Sequence, residues 1–387
     1  MTYRTLVRAA VALAAVLTLG TPAHAEPTDP WVRAWGLNAA GQLGNGTTLD
    51  QQTPSSVRGV RRDDVRELEA GGGSATSDFA LALLKDGTVE SWGANATGQL
   101  GDGTTANRAV PAAVAGLSGV SRIGAGLGFA AAVRGGRVWA WGANISGQLG
   151  NGATSNTPTT LPVPVQSLNK VTDIALGCNF ALALRQDGTV WAWGENRFGQ
   201  LGIGSTDNQS TPKRVPGLTD VVALSAGCYH AVALTADGTV KAWGRNADGQ
   251  LGNDSTQDSP SPVDVKHLED VTALYAGWYQ SFAVLSDGGV RAWGENGAGQ
   301  LGDGSVADRT TPVPVPGLTG VEALSVGWKH TLAVLDDQSV VAWGDNTVGQ
   351  LGDGTTTSSL SPVTALPPGS GTTRVPASVP WRTSYAY

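Results

Sequence analysis

The chain has 387 residues, 54 of them Gly, with 13 Trp against only 5 Phe, 6 Tyr and 1 Met. Charged residues make up 15%, too few for a long solvated helix, and the 41% hydrophobic share is too high for a disordered chain. A formal net charge of −7 argues against polyanionic partners, so neither nucleic acid nor an anionic membrane surface is expected.

The first predicted element is an export signal over residues 1–25. Arg4 and Arg8 form a basic start, residues 9–20 are apolar, and Ala23, His24 and Ala25 fit a small-x-small cleavage site. Cleavage after Ala25 leaves 23 basic residues against 32 acidic ones, a net charge of −9. The apolar run is too short to span a bilayer, and no later stretch approaches it, so a secreted protein without membrane insertion is expected.

Residues 26–387 are built from repeats. Trp-Gly-x-Asn occurs at Trp35, Trp92, Trp141, Trp193, Trp243, Trp293 and Trp343, and six residues after each Trp comes Gly-Gln-Leu-Gly. One unit shows the local structure. Residues 171–177 form an apolar run ending in Gly, and residues 180–186 alternate apolar and small side chains. Asp187 and Gly188 suit a tight hairpin, and residues 189–194 make the next strand. A long loop rich in Gly, Asn, Ser and Thr follows. Residues 212–215 then make a fourth strand that Pro212 confines to an edge.

Four antiparallel strands in about 50 residues make a propeller blade, and seven such blades close a ring. The expected fold is therefore an all-β, seven-bladed β-propeller in a single domain. Its closure is also legible. Residues 378–386 lie in register on residues 325–333, so the C-terminus should supply the first two strands of the last blade and residues 31–36 its third. Six full blades with ragged ends are the alternative.

The string Trp-Gly-x-Asn-x-x-Gly-Gln-Leu-Gly is followed by Pro, by Val-x-Gly-Leu and by Ala-Gly-x-x-His-x-x-Ala-Leu-x-x-Asp-Gly. It resembles the RCC1 repeat (regulator of chromosome condensation 1), over about residues 31–387. The resemblance implies the propeller fold. It also implies the family's best-known role, guanine-nucleotide exchange on a small GTPase together with chromatin binding.

A residue present in every unit serves the fold. The Trp fills space between blades, the Asn (Asn38, Asn95, Asn144, Asn196, Asn246, Asn296, Asn346) suits a turn at positive φ, and the glycines permit close approach. The slot held by His in the repeat carries Phe79, Phe129, Phe180, His230, Gln280, His330 and Thr383. Three Phe there mark a packed position, so His230 and His330 read as core residues. The turn just before that slot varies more. Tyr229, Trp278, Tyr279, Trp328 and Trp381 should form an arc over four neighbouring blades, flanked by Lys329 and Arg382, on the face of the long loops. Clustered Trp, Tyr and Arg are what binding hot spots are made of. The competing reading is that the rings fill the channel mouth.

Cys178 and Cys228 occupy equivalent slots of adjacent blades. An even pair in an exported chain invites a disulfide. Equivalent blade positions about 7 to 9 Å apart would exceed the ~4.4–6.8 Å a bridge spans, which weighs against one.

No P-loop, nucleophile elbow, Cys-x-x-Cys or His-Glu-x-x-His is present, and neither a cofactor nor a metal is expected. The leading expectation is a non-catalytic interaction propeller, monomeric because ring closure removes a free sheet edge, that binds a protein partner through the aromatic arc. The protein is also similar to exported inhibitors of β-lactamases, so a β-lactamase or penicillin-binding enzyme is a named alternative target. A cell-envelope glycan, bound or cleaved, is the remaining one.

Overall fold

The computed structural model describes residues 30–74, 76–377 and 381–387. The predicted export signal lies outside the described residues. The strands group into seven antiparallel sheets, and the only helical element among the described residues is the single 3-10 turn Arg62–Asp64. Six sheets have four strands in simple sequence order. The third blade, for example, runs Val171–Leu176, Phe180–Arg185, Val190–Gly194 and Gln209–Arg214, with Leu182 opposite Ala192. The seven-bladed propeller is thus the observed fold.

Strand two of each blade explains how neighbours pack. Its alternation puts long side chains on one face and alanines on the other. Phe180, Leu182 and Leu184 of the third blade pack against Ala231, Ala233 and Trp243 of the fourth. Ala181, Ala183 and Trp193 of the third face Phe129, Ala131 and Val133 of the second. Large thus meets small at each joint, and the indole fills the remaining depth. All seven repeat Trp are fully buried. At roughly 200 Å² each and about 25 cal/mol per Å², each contributes up to ~5 kcal/mol.

The Trp also stitch the ring by hydrogen bonds. Each indole Nε1 donates to the main-chain oxygen of the Gln in the preceding unit: Trp92 to Gln42, Trp141 to Gln99, Trp193 to Gln148, Trp243 to Gln200, Trp293 to Gln250, Trp343 to Gln300. Trp35 closes the cycle on Gln350 at 2.9 Å. Gly352 lies against the Trp35 ring, where an added Cβ would sit 2.6 Å from Nε1. This is why the second Gly of Gly-Gln-Leu-Gly must be Gly. The repeat Asn differs from expectation, since none has positive φ. It is instead a staple across the long loop. Asn296 accepts the Leu301 N–H at Oδ1, and its Nδ2 donates to the Ser305 and Ala307 carbonyls.

The seventh blade holds both chain ends. Trp31–Gly36 is its central strand, with Gln51–Arg61 on one side and Thr383–Ala386 on the other. Ala34 faces Tyr385 and Gly36 faces Thr383. The shared closure is as expected. Three strands of this blade fall among the described residues, the C-terminus contributing Thr383–Ala386. Residues 378–380, expected to belong to its remaining strand, lie outside the described residues. Trp381 and Arg382 form a bend.

Candidate functional site: the aromatic arc of the loop face

One bond, made in every blade, brings the loop face together. The residue after Trp-Gly donates its N–H to the carbonyl of the turn between strands one and two. Glu195 donates to Asn179, Arg245 to Tyr229, Glu295 to Tyr279, Asp345 to Lys329, and Leu37 to Arg382, at 2.7 to 3.0 Å. The long loop of one blade therefore stands beside the inner turn of the same blade. Its charged side chains reach the turn of the next.

The result is an unbroken ladder of rings. Phe198 meets Tyr229 edge-on at 5.2 Å, and Tyr229 stacks on Tyr279 at 6.3 Å. Tyr279 touches Trp278 at 6.1 Å, Trp278 meets Trp328 at 6.0 Å, and Trp328 stacks on Trp381 at 5.4 Å. Cations sit over the rings. Arg197 lies 4.7 Å from both Phe198 and Tyr229, and Arg245 lies 4.4 Å from Tyr279. Lys329 covers Trp328 at 4.5 Å, and Arg382 covers Trp381 at 4.7 Å. Carboxylates anchor most of these cations: Glu195 holds Arg197 at 2.8 Å, Asp248 holds Arg245, and Asp345 lies 3.7 Å from Arg382. Burial raises the Glu295 carboxyl, against the Lys329 charge beside it.

All seven arc residues named from the sequence come together, and all are half-buried. Three members were missed: Arg197, Phe198 and Arg245. They lie in the long loop, where the only signal is a Phe in the slot that elsewhere holds Ala40, Thr97, Ser146, Asp248, Ala298 or Val348. Trp278 has a second contact. A Cβ added at Gly73 of the first blade would sit 3.1 Å from its Cη2 and 2.4 Å from Leu127, so this indole reaches across the mouth of the channel.

Cys178 and Cys228 form a disulfide, with Cα atoms 4.5 Å apart, which corrects the spacing argument. The inner turns converge on the axis more closely than the blades do. Leu127 N–H donates to the Cys178 carbonyl, Cys178 N–H to Cys228, and Cys228 N–H to Trp278. Turns already hydrogen-bonded to each other leave their side chains within bridging distance.

The packed slot behaves as read. His230 and His330 are fully buried, each with Nε2 against a Ser hydroxyl of the next blade, Ser281 at 2.8 Å and Ser384 at 3.0 Å. Burial pushes their pKa down, to about 3 for His230 and about 4 for His330. The first blade places Asp78 where other blades place an arc residue. Asp78 is buried, with Oδ2 accepting from Thr383 Oγ1 at 3.3 Å, and burial pushes its carboxyl up to about 8. Among the described residues, no group of three His, Cys, Asp or Glu is placed to hold a metal ion.

Seven blades, a Trp-to-Gln stitch at every joint and closure through a shared last blade define an RCC1-type propeller. The sequence pattern of the RCC1-like domain matches residues 31–386, and the chain belongs to that family. Among curated relatives, it is 31% identical over 185 residues to the ultraviolet-B receptor UVR8 of Arabidopsis thaliana, covering 47% of this chain and 41% of the relative. It is 32% identical over 188 residues to the human E3 ubiquitin-protein ligase HERC2, covering 47% of this chain and 3% of the ligase. The matched part is thus under half the length of either relative. Among solved structures, Prp20p of Saccharomyces cerevisiae superposes with a TM-score of 0.78 at 21% identity, over 94% of this chain and 92% of its own. Human WBSCR16 gives 0.80 at 22% identity, over 92% and 98%. At such identities the likeness is one of fold.

Proposed function

We propose that this protein is a non-catalytic, exported interaction module that binds a protein partner through its loop face. The single observation behind this reading is the ladder of half-exposed rings with cations stacked on them, which runs from the third blade to the seventh. Nothing in the repeat demands Trp or Tyr in an inner turn, since Leu127, Cys178 and Cys228 fill the same slot. Rings already stacked, and cations already held by carboxylates, lose little freedom on binding. Tyr229, Tyr279, Trp328 and Trp381 are the anchors, with Arg197, Lys329 and Arg382 as polar contacts. Trp278 is assigned to the floor of the site. Protein binding by this fold is on record for Prp20p, whose structure is described with its binding to Gsp1p and histones.

The test is retention. Native protein and the Trp328→Ala/Trp381→Ala variant are immobilised and challenged with culture fluid and solubilised envelope. A protein held by the native form and lost from a variant of unchanged melting temperature supports the reading. Equal retention by both overturns it, and retention of cell-wall glycan alone replaces protein by carbohydrate as the ligand. If the retained protein is a β-lactamase or penicillin-binding enzyme, adding the propeller to it reads out inhibition directly.

A second reading rests on Trp278, Trp328 and Trp381 as three indoles in contact, with Arg382 over two of them. One relative is by name an ultraviolet-B receptor. Under this reading, ultraviolet-B illumination changes the retained partner or the molecular mass in solution. Identical behaviour in light and dark removes it.

A further inference from the structure

The face opposite the arc carries a second site at the ring seam, built from segments the sequence keeps some 300 residues apart. Arg62 comes from the 3-10 turn that enters the first blade, and Arg66 from the strand Val65–Gly71. Lys85 comes from the turn between the second and third strands of that blade, and Arg374 from the stretch before the last strand. All four line one cavity of about 330 Å³, with Asp63, Gly371, Thr373 and Tyr387.

The cations are placed rather than loose. Arg62 Nη1 donates to the Ser370 carbonyl at 2.8 Å, and its guanidinium lies against Gly371, where an added Cβ would sit 2.6 Å from Nη2. Arg374 Nη1 donates to the Arg66 carbonyl at 2.8 Å. Each guanidinium keeps further N–H groups for a ligand. The main-chain oxygen of Tyr387 is already taken by the Thr373 and Arg374 N–H groups. None of the four cations has a salt bridge among the described residues, whereas Arg197, Arg245 and Arg382 of the arc each have one. Four positive charges face two lining carboxylates, Asp63 and the main-chain carboxylate of Tyr387, in a chain whose overall balance is acidic.

We propose that this cavity binds a dianionic phosphoryl group carried by a small molecule. The charge argument selects it. An excess of two positive charges matches a phosphate monoester, with about −1.5 to −2 at neutral pH, better than a single carboxylate. Arg forks match phosphate oxygens in pairs, and Lys85 adds a point charge. Glu67 and Glu69 border the adjoining cavity toward the channel, so the anion stays at the rim. The site joins the first blade to the C-terminal stretch, so its occupant clamps the seam.

The probes are inorganic phosphate, glycerol 3-phosphate, and vesicles containing phosphatidic acid, each titrated calorimetrically at fixed ionic strength. Saturable binding of glycerol 3-phosphate, with a rise in melting temperature, is expected. Lys85→Gln and Arg66→Gln each weaken it by about tenfold without changing the ligand-free melting temperature. Lys85 is exposed in a turn, so that variant folds even if Arg66→Gln does not. Binding confined to vesicles would assign the site to a lipid headgroup and overturn the small-molecule proposal. Absence of saturable binding, or equal binding by Lys85→Gln and a Lys213→Gln control on an outer strand, would also overturn it.

Discussion

The joint between the third and fourth blades and the joint between the seventh and first solve the same problem differently. Both have the Trp-to-Gln stitch and the same large-on-small packing. The internal joint then adds a covalent bond, Cys178 to Cys228, between turns that already share a backbone hydrogen bond. The seam has no continuous chain through its last blade. It adds buried polar contacts from the C-terminus: Tyr385 Oη donates to the Gln42 carbonyl, Leu68 N–H donates to Tyr387 Oη at 3.2 Å, and Asp78 meets Thr383. A ring resists opening only as well as its weakest joint, and the seam replaces chain connectivity with side chains that the other joints lack.

The largest expected effect breaks the stitch. Trp92→Ala at the seam and Trp243→Ala at the third–fourth joint should each cost about 3–5 kcal/mol in denaturant unfolding. Only Trp92→Ala, whose ring packs on Tyr385, should also expose the Thr383–Ala386 amides to hydrogen exchange under native conditions. Equal protection of that strand in both variants would show the seam to be no weaker than an internal joint. Next comes the covalent contribution. Replacing Cys178 and Cys228 by Ser opens a 50-residue loop and should cost up to about 4 kcal/mol, measured against the oxidised wild type.

Asp78 sharpens the comparison through pH. Its carboxyl lies at about 8 when folded and at 3.8 when exposed, so between these values the folded state holds the extra proton. Its contribution is complete below pH 4 and is lost as pH rises toward 8, at about 1.4 kcal/mol per unit. Asp78→Asn, which keeps the neutral shape, should flatten that slope. The histidines run the other way. His230 and His330 stay neutral when folded while the unfolded chain protonates near 6.5, so their contribution is lost as pH falls below that value. His230→Gln should reduce the acid-side loss and leave the alkaline slope unchanged. The smallest effect belongs to the arc: Arg245→Gln removes one cation from Tyr279 and should cost about 0.5–1 kcal/mol of stability.

The blades were legible because every unit repeats the same solution, so Trp, Gln, Asn and Gly announce themselves by recurrence. The seven arc residues were legible for the opposite reason, as departures from the repeat in a slot with no packing demand. What the sequence hid is what depends on distance to the axis. Equivalent slots do not reveal how closely inner turns converge, so the Cys178–Cys228 bond was underrated. Arg197 and Arg245 belong to the loop of one blade and serve the ring of the next, a relation that alignment of units does not display. The seam's basic cavity was invisible because Arg62 follows Arg61 and precedes Asp63 and Asp64 in the chain, which reads as a neutral stretch. Arg374, which completes the cavity, stands far away in sequence.

The Trp-to-Gln stitch has a consequence for how such rings grow. Every unit carries one indole donor and one carbonyl acceptor, and each bond joins a unit to its predecessor. Inserting or deleting a whole unit would leave no donor or acceptor orphaned at the new junction. The bonding pattern is therefore indifferent to blade number. The count of seven rests on the wedge set by Phe, Leu and Val on one face of each sheet and Ala on the other. Gene duplication can add blades freely at the level of hydrogen bonds, and it is side-chain volume that decides which additions still close.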